Sequence, residues 1–189
     1  MEKVTRECNI LGSGPSRISY RENELISIGC NFPWTKVDMT IFFDIEAIYR
    51  LCETPTLIDQ NTKLIIHQRV YSDLNQSKKI GGLKYRIGGV FNSPLSFNQK
   101  FTRSSGHYAA SWMINLGYNK LNIYGCDNFF GDDLCLINYS HEPSTPHYIE
   151  NPNIERYSVE QLKTRGKTWR EEWHKMIKQH PKVEFNFIP

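Results

Sequence analysis

Short apolar runs separated by polar, glycine-bearing corners recur along the first half of the chain, and their length and period set the expected elements. Cys8 to Leu11 is apolar and stops at Gly12, which predicts a buried strand. Leu25 to Asn31 (LISIGCN), Met39 to Phe43 (MTIFF, between Asp38 and Asp44) and Lys63 to His67 (KLIIH) predict three more. Ile45, Ile48, Tyr49 and Leu51 share one side of a helix. Residues 72 to 82 are polar and contain glycine, which predicts a mobile loop. Tyr85 to Phe91, interrupted by Gly88 and Gly89, reads as an edge strand.

The second half shifts to the helical period. Tyr108, Ala109, Trp112, Met113 and Leu116 recur every three or four residues, so Ser104 to Leu116 is the expected central helix, with Gly117 as its stop. Leu121 to Tyr124 is a strand closed by Gly125-Cys126-Asp127. Residues 128 to 157 are irregular, with three prolines. Ser158 and Gln161 form an S-x-x-Q capping box ahead of a long helix, whose face runs through Leu162, Trp169, Trp173, Met176, Ile177 and His180. That stripe suits a core, or the packing of a second subunit in a homo-oligomer. Pro181 ends the helix, and Val183 to Ile188 alternates as a last strand. Strands alternating with helices predict an α/β fold, modified Rossmann-like, with a mostly parallel sheet and helices on both faces. No repeat or linker divides residues 1–189, so one domain is expected.

Composition narrows the classes. The chain is 39% hydrophobic and 23% charged, an ordinary globular balance, and its net charge of +3 is too mild to argue for nucleic acid. No run approaches the ~20 apolar residues of a membrane span, and the charged opening MEKVTRECN lacks a signal-peptide core. A cytoplasmic protein without membrane insertion is expected. The five cysteines (Cys8, Cys30, Cys52, Cys126, Cys135) lack close pairs, which predicts buried free thiols and no zinc site. The basic residues Lys163, Arg165, Lys167 and Arg170 crowd the first half of the last helix; a solvated face explains them, and a polyanion-binding face is the alternative.

Chemistry concentrates at the corners. Gly12-Ser13-Gly14-Pro15-Ser16 follows the first strand, where glycine lets the backbone approach a ligand and backbone N–H groups can face an anion. It is neither a dinucleotide fingerprint, since Arg17 stands where the third glycine would, nor a Walker loop. Cys30-Asn31, Ser104-Ser105-Gly106 and Gly125-Cys126-Asp127 fall at further strand ends or at a helix start. In an open α/β sheet such corners converge on one crevice. Asn31 can donate and accept, as a base or sugar requires, while Ser104 or Ser105 could serve simply as a helix cap.

The ordered set G-x-G-P-S, C-N, S-G at a helix start, L-G-Y through G-x-D, and H-Y-I resembles the bacterial lipooligosaccharide sialyltransferases. It also resembles their wider relatives, the motility-accessory-factor glycosyltransferases and the 6-hydroxymethylpterin diphosphokinase-like proteins. The matching residues are Gly12 to Ser16, Cys30-Asn31, Ser105-Gly106, Leu116-Gly117-Tyr118 through Gly125 and Asp127, and His147-Tyr148-Ile149. The resemblance implies a nucleotide-activated donor of cytidine monophosphate sugar type, bound without a metal or other cofactor. By position, Ser13 and Gly14 would meet the donor phosphate and ribose, Asn31 the sugar or phosphate, and Ser104, Ser105 and Gly106 the nucleoside. The chain departs from the pattern twice: Phe129 stands in place of a phosphate-binding tyrosine, and Asn151 in place of the base histidine.

Glycosyl transfer to an acceptor hydroxyl then needs substitutes. Arg103, Ser105 and Tyr148 (with Tyr139 a further partner) are the candidates to stabilise the leaving phosphate, and His147 or His141 the candidate base. The acceptor could be a glycan, a lipid-linked sugar or a modified nucleic acid base. Two alternatives stay open: a magnesium-dependent diphosphokinase-like enzyme using Asp127, Asp132, Asp133 or Asp44, and a non-catalytic nucleotide-binding protein of the same fold.

Overall fold

The computed structural model describes residues 4–77, 81–92, 103–131 and 158–189. Its strands are β1 (Glu7–Leu11), β2 (Ser27–Cys30), β3 (Met39–Phe42), β4 (Lys63–His67), β5 (Ile87–Phe91), β6 (Lys120–Tyr124) and β7 (Glu184–Phe187). They form one seven-stranded sheet in the order β5-β4-β3-β2-β1-β6-β7, parallel at every pairing. The helices that bear on the site are α1 (Ile45–Glu53), α2 (Gln68–Gln76), α3 (Ser105–Asn115) and α4 (Val159–Gln179). The result is a single-domain, Rossmann-like α/β fold, with a sheet wholly parallel where the sequence predicts a mostly parallel one.

The period of two along each strand divides the core. Cys8, Ile10, Ile28, Cys30, Ile41, Ile65, Leu121 and Ile123 face one way, and join Tyr108, Ala109 and Met113 of α3 and Trp173 and Met176 of α4. Phe42, Leu64 and Ile66 face the other way, against Ala47, Ile48 and Leu51 of α1 and Val70 and Leu74 of α2. The stripe on the last helix therefore resolves as core at Trp173 and Met176. Burying a tryptophan and its neighbours there contributes on the order of 3–5 kcal/mol by the cost of truncating such a side chain.

Toward β6 and β7 the second face turns polar. Asn186 Nδ2 donates to Asn122 Oδ1 (3.2 Å), Asn122 Nδ2 to Asn9 Oδ1 (3.3 Å) and Asn9 Nδ2 to Asn23 Oδ1 (2.9 Å). Asn122 also donates to Glu7, which pairs with Lys120 at 3.2 Å. These amides hold three neighbouring strands in register.

Two local readings change. The segment predicted as a loop from residue 72 instead carries α2 as far as Gln76, followed by 3-10 turns over Gly81–Arg86. Only Val70 and Leu74 of α2 are buried, one turn apart, which is too sparse a pattern to read beforehand. Arg86 belongs to no strand: it is 2% exposed, and its guanidinium donates to the carbonyls of Pro55 (3.2 Å) and Asp59 (2.7 Å). The predicted capping box of α4 forms, with Ser158 N donating to Gln161 Oε1 (2.8 Å) and Gln161 N to Ser158 Oγ (3.2 Å). Among the described residues no helix is long and apolar enough to cross a membrane. Cys8, Cys30 and Cys126 are buried free thiols and Cys52 is half-buried; Cys135 lies outside the described residues.

Candidate functional site

Strand order reverses at β1, which lies between β2 and β6. Chain leaving the carboxyl ends of β1 and β6 therefore diverges, and in open parallel sheets the resulting crevice is where ligands sit. The corners singled out in the sequence gather along this edge. Gly14 N donates to Gly125 O at 2.8 Å, joining the loops after β1 and β6. A Cβ on Gly106 would stand 2.8 Å from Cys126 Sγ, so the first turn of α3 lies against the same loop. Burial pushes the Cys126 thiol well up, and Cys30, next to Asn31 at the end of β2, adds to the shift.

The glycines of the first loop have a reason the sequence conceals. A Cβ on Gly12 would stand 2.3 Å from Gly125 O, and one on Gly125 would stand 2.6 Å from Gly12 O. Gly125 also has φ +66°, in the left-handed region. The two strand ends touch backbone to backbone, which no side chain permits. The loop donors are correspondingly committed inward. Gly12 N donates to Tyr124 O (2.8 Å), and Ser16 N to Asp127 Oδ1 (3.1 Å). Pro15 has no N–H, so among the described residues Ser13 alone keeps a loop N–H without a partner.

Ser16 and Asp127 likewise bind each other before any ligand. Ser16 Oγ accepts the Gly125 N–H at 2.8 Å. Burial raises the Asp127 carboxyl above its ordinary range, while its hydrogen bonds from Ser16 and the charge of Arg17 pull it back. Arg17 is itself buried and donates to Ser13 O at 3.1 Å. Together these contacts make a rigid corner.

The start of α3 is built differently. Ser104 is its N-cap. His107, fully buried, takes the place that glutamate or glutamine holds in an ordinary capping box. Its Nδ1 accepts from Ser104 N (3.0 Å) and lies 2.9 Å from Ser104 Oγ; its Nε2 lies 3.0 Å from Trp169 O. The ring stacks on Trp173 with centroids 4.0 Å apart. Desolvation lowers its pKa to about 3, so it is neutral. The N–H groups of Ser105 and Gly106, first in the helix, have no intrahelical acceptor and are available to an anion. Arg103 sits just before the cap and pairs with Glu172 of α4 at 3.2 Å.

Among the described residues, Asn31 Oδ1 and Asn128 Nδ2 at this edge are amide atoms buried without a partner. Asn31 has φ +56°, donates its N–H to Ile41 O (3.0 Å) and accepts Thr40 Oγ1 on its carbonyl (2.7 Å). The backbone is thus pinned while the amide oxygen goes unused. Leaving a buried polar atom unsatisfied costs about 1–3 kcal/mol, which a ligand can recover.

Phe129, at the position where the resembled family has tyrosine, stacks on Phe187 at 3.7 Å and 3°, tying the 3-10 turn after β6 (Asp127–Phe129) to β7. Tyr139, His141, His147, Tyr148, Asn151, Asp132 and Asp133 lie outside the described residues. Sequence reasoning missed three contributors: His107, Asn128 and the aromatic group beyond β3. In that group Phe43 stacks on Tyr108 at 4.7 Å, and the half-buried His67 meets Phe43 and Phe91 edge-on. The one legible signal was Ser104-x-x-His107, a capping box with an unusual third residue. No protein-family model, curated protein or solved structure matches the chain.

Proposed function

We propose that the carboxyl edge around β1 and β6 binds a nucleotide-activated sugar of cytidine monophosphate type and that the protein transfers the sugar to an acceptor hydroxyl. The observation that carries this reading is the pair of unpartnered buried amide atoms, Asn31 Oδ1 and Asn128 Nδ2, at the switch point of a parallel sheet. One accepts and the other donates, which suits a base or sugar edge rather than a bare anion. The N–H groups of Ser13, Ser105 and Gly106 supply the anion seat for the donor phosphate. Arg103, held by Glu172, and Tyr148 stabilise the departing phosphate, and His147 takes the acceptor proton. The ordered motif set shared with the sialyltransferase-like enzymes supports the same assignment.

Thermal unfolding with cytidine monophosphate and with cytidine monophosphate sugars, in chelator and then in magnesium, tests it. Stabilisation in chelator is expected, about 2–3 kcal/mol at a hundredfold excess over Kd, and Asn31→Ala should remove most of it. A strict magnesium requirement would favour the diphosphokinase-like alternative. Absence of any nucleotide effect would sink both.

A further inference from the structure

We infer that His107 is a positioning residue that fixes the polarity of Ser104, so that the Ser104 oxygen can meet a ligand only as an acceptor. Trp169 O is a carbonyl and only accepts, so His107 Nε2, 3.0 Å away, carries the hydrogen. The neutral ring then has a bare lone pair on Nδ1, as the N–H of Ser104 pointing at it from 3.0 Å also requires. Ser104 Oγ lies 2.9 Å from that lone pair. Two lone pairs facing each other at this distance would repel, so the hydroxyl hydrogen lies between them and is committed to Nδ1. The capping box directs the His107 backbone N–H onto one Ser104 lone pair, so what Ser104 turns outward is the other lone pair and no hydrogen. Turning the imidazole over would put ring carbons against Ser104 and Trp169 O and forfeit every one of these hydrogen bonds, so the order is not reversed.

This deepens the nucleotide reading and rests on it. A phosphate oxygen seated on Ser104 would meet like charge density, so the phosphate belongs to the free N–H groups of Ser13, Ser105 and Gly106. The group on Ser104 must bring its own hydrogen: a ribose hydroxyl or the exocyclic amino group of the base. Asn31 Oδ1, also an unpartnered acceptor, asks for the same kind of group.

Two measurements decide it. The first is nitrogen NMR of histidine-labelled protein in neutral buffer, expected to show His107 with hydrogen on Nε2 and a hydrogen-bonded, bare Nδ1 that loses its hydroxyl partner in Ser104→Gly. Hydrogen on Nδ1 would overturn the inference whatever the ligand. The second is the affinity of wild type, Ser104→Gly and Ser104→Thr for the 5′-monophosphates of cytidine, uridine and deoxycytidine. Glycine is a tolerated N-cap, so the helix start survives. Wild type and Ser104→Thr should prefer cytidine over one of the other two by about five- to tenfold, the worth of one hydrogen bond. Ser104→Gly should lose that preference. Binding with ratios unchanged by Ser104→Gly overturns the seat alone. Failure of all three nucleotides to bind overturns the nucleotide reading, and the seat with it.

Discussion

Glycine at position 12 looks in the sequence like part of an anion loop, yet the structure gives it a different cause: its backbone meets the backbone of Gly125, where a Cβ would sit 2.3 Å from an oxygen. Gly12→Ala should therefore cost about 3 kcal/mol or more, the upper range for an overpacked core, with a matching loss in the midpoint of urea unfolding. Gly81, whose added Cβ would meet nothing, is the control: Gly81→Ala should leave the midpoint nearly unchanged. A loop that merely cradled a ligand would show the reverse, normal stability with lost binding. Asn31 was legible as a residue able to read a ligand. That its amide oxygen is stranded was not legible, because this depends on Thr40 and Ile41 occupying its backbone instead.

At the level of elements, legibility followed the density of apolar residues. KLIIH declares itself a strand, and β4 spans the same five residues, Lys63 to His67. α2 offers only Val70 and Leu74 among polar neighbours, and its existence depends on the core of α1 below it. The short β7 was visible through Phe185 and Phe187, but its parallel pairing with β6 was not. There the asparagine row does the alignment, with each amide donating to the next in one direction. Asn122 is the middle member, donating to Asn9 and Glu7 and accepting from Asn186. Asn122→Ala should cost about 1–2 kcal/mol, while Asn186→Ala at the row's end costs less. Chemical denaturation of the two single variants and the double variant should show strong non-additivity, since the first change already strands the second residue.

For the whole molecule, the histidines set the response to acid. His107 is lowered to about 3, and His67 is lowered by burial and by the charge of Arg69. Below an unfolded value near 6.5 the unfolded chain takes up protons that the folded chain refuses, so stability falls as pH falls, by up to ~1.4 kcal/mol per pH unit per group. Glu7 and Glu172, lowered by their partners, add a loss that sets in below pH 4.5. Asp127, raised by burial, opposes them. Between pH 7 and pH 5 the loss comes from His107 and His67, the groups lowered from 6.5. Urea unfolding should show a loss of about 2 kcal/mol from His107 across that interval, largely absent in His107→Gln. The topology carries a consequence for biosynthesis. β6, one of the two neighbours of β1, is made long after it: Asn9 and Asn122 are 113 residues apart. Until then one side of β1 stays bare. The crevice comes into being in the same event that closes the middle of the sheet, so a nascent chain has nothing with which to hold its ligand until β6 has been made.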